Sequence, residues 1–221
     1  MKSQSNRSSP EPNYRISIPQ VRPEITCGKH PVKRIVGERL VVAADVIKDG
    51  HDTFVAEIRY RRVGESECKT APMTYSYDDD EWSGEILLPQ IGEFEYTAAV
   101  WTDVFASWAD EVRRKVDAGR DVASELLEGI ALIRETAAAS SGEPAGVLEN
   151  YAALIHSASP QSEQVYIALS PTLRELMSNH QARGDETVYS RWLGVTVDRE
   201  RARFSAWYEF FPRSTIAPAT G

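Results

Sequence analysis

Residues 92–102 read GEFEYTAAVWT, in which every second position from Phe94 to Val100 is apolar. Side chains of a β-strand point to opposite faces in turn, so this period of two predicts a strand with one buried face. Similar strand signals occur at residues 14–18, 39–46, 54–61, 73–77 and 82–88. About six short strands are thus separated by turn residues, and no helical pattern lies between them. The sequence up to about Lys115 therefore predicts an antiparallel β-sandwich.

Residues 116–186 show the period of α-helices instead. One face of the first helix is marked by apolar residues at spacings of four, three and four. These residues are Leu126, Ile130, Ile133 and Ala137. The faces predicted for three further helices are Val147, Tyr151, Leu154 and Ile155; Val165, Ala168 and Leu169; and Leu173, Leu176 and Met177. The pairs Ser159-Pro160 and Ser170-Pro171 are typical helix starts, so we expect a small antiparallel helical bundle.

The pattern becomes extended again after Gly184. Residues 191–197 predict another strand, followed by a charged hinge at residues 198–203. Residues 204–211, FSAWYEFF, are densely aromatic, and a strand that is apolar on both faces is normally buried on both. We therefore divide the chain into a disordered tail at residues 1–12, a β-sandwich at 13–115 with 187–203, a helical bundle at 116–186, and the first strand of a larger body at 204–221.

Composition and charge exclude several classes of function. The chain has 221 residues, of which 25 are Lys or Arg and 33 are Asp or Glu, giving a net charge of −8. An acidic chain without a long basic run is a poor candidate for binding nucleic acid. No run of apolar residues is long enough for a membrane span, and the polar N-terminus does not resemble a secretory signal. Cys27 and Cys68 form no CxxC pair and are expected to be reduced thiols, as in a cytoplasmic protein.

The polar candidates for a site have simpler structural interpretations. We expect Asp49, His51 and Asp52 to form a turn between strands, and Asp78, Asp79 and Asp80 to form a solvated hairpin tip. The ligand spacing of a calcium loop is missing from the acidic triplet. His30, His156 and His180 stand alone in the sequence. No phosphate-binding, dinucleotide-binding or nucleophile-elbow motif occurs. We therefore predict no catalytic, cofactor-binding or metal-binding residue, and no cofactor.

The aromatic residues leave two interpretations open. Tyr75, Tyr77, Trp82, Trp101, Trp108, Trp192, Trp207 and Tyr208 are the residues concerned. If they are exposed on a rigid sandwich, they are suited to stacking on sugar rings. If they are buried, they fill the core or an interface, as large aromatic side chains usually do. If the connection between sandwich and bundle is helical, Trp101, Phe105 and Trp108 share one side of it, and the spacing predicts a packing patch there.

Several segments carry a resemblance to a known family. They are Val21-Arg22-Pro23, residues 31–34 (PVKR), Gly37-Glu38, residues 46–52 (VIKDGHD), residues 96–103 (YTAAVWTD), Ser107-Trp108, residues 126–129 (LLEG) and residues 206–214 (AWYEFFPRS). In this order and spacing, over roughly residues 14–214, the chain resembles the N-terminal part of the bacterial maltosyltransferases that extend α-1,4-glucan from α-maltose 1-phosphate. These enzymes belong to the α-amylase superfamily.

The resemblance implies an immunoglobulin-like sandwich with a helical extension. It also implies a homodimer, in which this region lies near the active site of the partner. The catalytic (β/α)8 barrel follows the AWYEFFPRS strand in the family, and it supplies an Asp nucleophile and a Glu acid/base for retaining glycosyl transfer. A barrel needs about 250 residues of its own, so neither residue has a counterpart in this chain.

The resulting expectation is a non-catalytic region of a maltosyltransferase of glycogen and α-glucan synthesis, which dimerises and shapes the acceptor side of the site. Its expected partners are a second copy, a catalytic barrel of the family and, as a further candidate, α-glucan. Two alternatives stay open. One is a stand-alone α-glucan-binding module that uses Trp82 or Trp101 as a stacking platform, and the other is an inert fragment of a truncated gene.

Overall fold

The computed structural model describes residues 16–50 and 52–204, together with Glu209. The strands are β1 (Ile16–Arg22), β2 (Val32–Ile35), β3 (Arg39–Lys48), β4 (Phe54–Arg62), β5 (Lys69–Pro72), β6 (Thr74–Ser76), β7 (Glu81–Leu87), β8 (Gly92–Thr102), β9 (Thr187–Val188) and β10 (Leu193–Asp198). The helices are α1 (Val104–Asp117), α2 (Ala123–Ala139), α3 (Glu143–Ser157), α4 (Gln161–Ala168) and α5 (Pro171–His180), with a short 3-10 helix at Glu200–Arg203. The tail predicted at 1–12, His51 and residues 205–208, 210 and 211 of the predicted aromatic strand lie outside the described residues.

The strands form two sheets. The first has the order β1-β3-β7-β6 and is antiparallel throughout. The second has the order β2-β10-β8-β4-β5, and β9 also pairs with β8. Our expectation of purely antiparallel pairing is wrong at one place, because β10 runs parallel to β2. β10 returns from the helical segment through a long connection rather than a hairpin, and only such a crossover allows a parallel pair.

Both sheets contribute to one hydrophobic core. Leu40 and Val42 of β3 and Ala56 and Ile58 of β4 are fully buried in it, which confirms the alternation predicted for β3. In β4 the alternation is incomplete, because Glu57 is buried as well, where it pairs with Arg59 and Arg183.

Strand β8 lies between β10 and β4. The expectation that only one of its faces is buried is wrong, because every residue from 96 to 101 is buried. The second face is covered too, at Trp101 by the guanidinium of Arg183. Tyr96 of β8 is fully buried, and its hydroxyl donates a hydrogen bond to the carbonyl of Pro23. Burial raises the pKa of this phenol far above its usual value, so Tyr96 stays neutral.

The five helices lie between β8 and β9 and have a core of their own. The predicted face of α2 is confirmed, since all four of its residues are buried. The predicted face of α3 is right at Ile155, and Tyr151 packs partly buried against the core, but the prediction is wrong at Val147 and Leu154. Leu148, Ala152 and Ile155 are buried, whereas Val147 is 38% and Leu154 is 44% exposed. Residues 147, 151 and 154 have the same helical spacing as residues 148, 152 and 155, so the period alone does not distinguish the two faces. The second set, in which Ala152 is smaller than Tyr151, is the one buried in the helical core.

The change from strand to helix comes at Asp103, earlier than the change in composition near Lys115. The side chain of Asp103 accepts a hydrogen bond from the backbone N–H of Ala106 at 2.8 Å and caps α1. The first turn of α1 has no periodic signal that distinguishes it from the end of β8. None of the helices in the described ranges is long and apolar enough to cross a membrane.

Candidate functional site

An aromatic groove lies where the two sheets meet at one end. Tyr75 of β6 is in register with Trp82 of β7, and their ring centroids are 5.6 Å apart. Tyr77 packs edge-on against Tyr75 at 4.9 Å, and Phe54 of β4 packs against Trp82 at 5.1 Å. Cross-strand aromatic pairs of this kind stabilise a sheet. Three of the aromatic residues singled out in the sequence therefore come together in one place, with Phe54 added from the other sheet.

Three charged residues edge this groove, which has a volume of about 440 Å³. Lys48 has a side chain that is only 3% exposed, and its ammonium group pairs with Asp52 at 3.4 Å and donates to Thr102 Oγ1 at 2.8 Å. Asp80 accepts a hydrogen bond from the Tyr75 hydroxyl at 2.5 Å. That bond raises the pKa of Tyr75, so the ring is neutral.

The acidic hairpin tip is a turn, as the sequence predicts. Asp78, Asp79 and Asp80 are exposed, and Ser76 Oγ bonds Asp79 Oδ2 at 2.8 Å. Asp80 has a left-handed backbone with φ of 52°, a conformation that Asp tolerates better than most residues. In the described part of the chain, no three His, Cys, Asp or Glu side chains are placed to hold a metal ion.

A second polar cluster joins the groove to the segment that leaves the helices. Asp185 accepts hydrogen bonds from Thr102 N at 2.8 Å and from Thr102 Oγ1 at 2.5 Å, so Thr102 lies between Asp185 and Lys48. Glu186 binds Arg59 through both carboxylate oxygens, at 3.1 and 2.5 Å.

Both carboxylates of this segment have a lowered pKa. For Glu186 the main cause is the hydrogen bond from Arg59. For Asp185 burial opposes ionisation, but the hydrogen bonds from Thr102 outweigh it. Sequence reasoning missed this cluster because its members are far apart in the chain and follow no period.

The comparisons with known proteins identify the family. The family model described as alpha-1,4-glucan:maltose-1-phosphate maltosyltransferase, domain N/S, matches residues 14–199. The chain belongs to this family. It is 45% identical to the maltosyltransferase of Myxococcus xanthus over 207 residues, which are 90% of this chain and 31% of the relative. Identity to the Chlorobaculum tepidum protein is 40% over 200 residues, or 90% of this chain and 30% of the relative. The chain thus spans about 30% of the length of the curated relatives it matches.

Two of the segments that carry the family resemblance contribute to the rim of the groove in this domain N/S chain or to its support. Residues 46–52 supply Lys48, and residues 96–103 supply Thr102 and the helix cap Asp103. The aromatic residues of the groove, Phe54, Tyr75, Tyr77 and Trp82, all lie outside those segments.

Two further tryptophans of the domain N/S chain, Trp101 and Trp192, have rings that arginine side chains cover. Trp101 is 4% exposed, and the Arg183 guanidinium covers its ring at 3.7 Å, so the alternative platform at Trp101 is wrong. Trp101 also ends β8 rather than starting α1, and it does not join the Phe105–Trp108 pair in the helical core as predicted. The guanidinium carbon of Arg61 lies 4.4 Å from the centroid of the Trp192 ring and covers it. Trp207 and Tyr208 lie outside the described residues.

Proposed function

We propose that this chain forms a non-catalytic region of a maltosyltransferase, which dimerises and shapes the acceptor side of a site that transfers maltosyl units to α-1,4-glucan. The two sheets would form the immunoglobulin-like sandwich of that region, and the helices its extension. One observation carries the proposal: domain N/S of the family accounts for residues 14–199, and the matched part is about 30% of each relative.

The charge arrangement of the half-buried carboxylates supports a non-catalytic role. Glu57 pairs with Arg59 at 2.9 Å and Arg183 at 3.0 Å, and Glu95 pairs with Arg61 at 2.6 Å. Glycosyl transfer needs one carboxylic acid whose pKa is raised, so that it can donate a proton. Arg59 instead lowers the pKa of Glu186, which is typical of a structural ion pair.

The outer surface of the helices supports a role in assembly. Leu127 of α2 is 61% exposed, and Leu154 of α3 is 44% exposed. Apolar side chains of this kind supply the buried centre of a subunit interface.

The test combines light scattering with an activity assay. The 221-residue chain is measured alone and mixed with a separately expressed catalytic region of the Myxococcus xanthus relative. Phosphate release from α-maltose 1-phosphate is followed with glycogen as acceptor. We expect a dimer of the chain, or a complex with the catalytic region, and no phosphate release by the chain alone. The proposal is contradicted if the chain is a monomer that forms no complex with the catalytic region. It is also contradicted if the chain alone releases phosphate.

A further inference from the structure

We propose that a basic pocket at one end of the two sheets binds a small phosphate monoester that carries an aromatic ring. The pocket has a volume of about 190 Å³. Its lining combines the ends of β4 and β7 with the starts of β5 and β8 and includes Tyr60, Arg61, Arg62, Lys69, Leu87 and Phe94. The aromatic groove contains the starts of β4 and β7, so the basic pocket lies at the opposite end of these strands.

Strand pairing brings two cations of the pocket onto one face of the second sheet. Lys69 of β5 is in register with Tyr60 of β4, and Arg62 of β4 is in register with Phe94 of β8. Residues directly opposite each other on paired strands, and residues two apart on one strand, point to the same face. Lys69 and Arg62 therefore stand beside the rings of Tyr60 and Phe94.

The guanidinium of Arg62 is held in place by the chain itself. Its Nη2 donates a hydrogen bond to the carbonyl of Ile91 at 3.2 Å, and its carbon lies 6.0 Å from the centroid of the Phe94 ring. It also rests on the backbone of Gly92, where an added Cβ would lie 2.8 Å from Nη2. A planar guanidinium that is already fixed loses little side-chain entropy when it binds the oxygens of a phosphate.

The charges of the pocket favour an anion. Arg61 is neutralised, because its Nε pairs with Glu95 at 2.6 Å. In the described ranges no carboxylate pairs with Arg62 or Lys69, although the chain has 33 Asp and Glu residues and a net charge of −8. Among the described residues that line the pocket, Glu65 is the one carboxylate, and it is exposed. Two unpaired cations match a phosphate monoester, whose charge is about −1.5 to −2 at pH 7.

The walls of the pocket suit a single aromatic ring. Tyr60 and Phe94 pack partly buried on the core of the sheets, and Leu87 and Pro89 add aliphatic surface. Aromatic rings pack favourably on such side chains. A cavity of about 150 Å³ is known to hold benzene, so about 190 Å³ admits one six-membered ring. The ligand is therefore an aryl phosphate rather than free phosphate.

Binding is measured by calorimetry with the full 221-residue chain and three probes: phenyl phosphate, inorganic phosphate and benzyl alcohol. We expect phenyl phosphate to bind most tightly, because inorganic phosphate lacks the ring and benzyl alcohol lacks the charge. Lys69→Gln removes one of the two free cations and should weaken the binding of phenyl phosphate by roughly tenfold. Glu65→Gln removes the negative charge of the lining and should strengthen binding by up to about fivefold. A gain in affinity cannot come from a chain that fails to fold.

Lys29→Gln is the matched control. Lys29 is exposed in the turn before β2 and does not line the pocket, and its substitution changes the net charge by the same amount as Lys69→Gln. It should leave binding unchanged. The inference is overturned if phenyl phosphate does not bind, or if inorganic phosphate or benzyl alcohol binds as tightly. An equal loss of affinity in Lys29→Gln and Lys69→Gln would also overturn it, because the effect would then come from net charge rather than from the pocket.

Discussion

A single glycine determines how α1 and α2 approach each other. A Cβ added at Gly129 would lie 2.1 Å from Cζ2 of Trp108. The indole cannot simply move aside, because its Nε1 donates a hydrogen bond to the carbonyl of Glu125 at 2.7 Å. Overpacking costs about 1–3 kcal/mol, whereas replacing a helical glycine by alanine recovers at most about 1 kcal/mol. We therefore expect Gly129→Ala to lower the free energy of unfolding by roughly 1–2 kcal/mol in urea titrations.

Gly146 of α3 provides the matched control. It is also inside a helix, but no atom lies within 4 Å of an added Cβ. Gly146→Ala should therefore leave stability unchanged or raise it by up to about 1 kcal/mol. Equal effects of the two substitutions would show that helix propensity, rather than the Trp108 contact, decides the outcome at Gly129. The sequence offers no sign of this difference, because both glycines interrupt similar helical patterns.

At the level of elements, the link between α5 and β9 is held by charges. The guanidinium of Arg59 lowers the pKa of Glu186 below its unfolded value of about 4.3. The stabilisation from this pair is therefore fully present above about pH 4.3 and is lost as the pH falls through the folded pKa. We expect the unmodified chain to lose more unfolding free energy between pH 7 and pH 3 than Glu186→Gln, which cannot ionise at this position.

Glu65→Gln is the control for this comparison. Glu65 is exposed in the turn after β4 and forms no ion pair with any other described residue. Its loss of stability in acid should match that of the unmodified chain. If Glu186→Gln also matches the unmodified chain, the Arg59–Glu186 pair does not hold the link.

The elements also show what the sequence can and cannot predict. The faces of β3 and α2 follow directly from their periods, because burial repeats at the same interval as the side chains. The parallel pairing of β10 with β2 and the buried stripe of α3 depend on packing partners far away in the chain. For the groove, the sequence marks Tyr75, Tyr77 and Trp82 as candidates. It does not reveal that Lys48 and Phe54 join them, since that depends on how β3 and β4 pass from one sheet to the other.

At the level of the whole molecule, the β-strands and the helices form two separate cores. The two clusters share no buried residue within the described ranges. They are joined instead by polar contacts, such as the hydrogen bond from Thr53 N to Ser107 Oγ at 2.8 Å. Closing a longer loop costs only about 0.6 kcal/mol for each doubling of its length. We therefore expect the helices to unfold as one loop between β8 and β9 while the paired strands stay intact.

Hydrogen exchange followed by mass spectrometry tests this separation with one truncation in each core. Leu148 of α3 and Ile58 of β4 are both fully buried, and removing such a side chain costs about 2–5 kcal/mol. Leu148→Ala should speed exchange throughout α1–α5 and leave β4, β8 and β10 protected, because the helical core opens without breaking the sheet. Ile58→Ala should expose the amides of both sheets. If Leu148→Ala speeds exchange equally in helices and strands, the chain unfolds as one cooperative unit. In that case the polar contacts at Thr53 and Thr102 couple the two cores, although the cores share no buried residue in the described ranges.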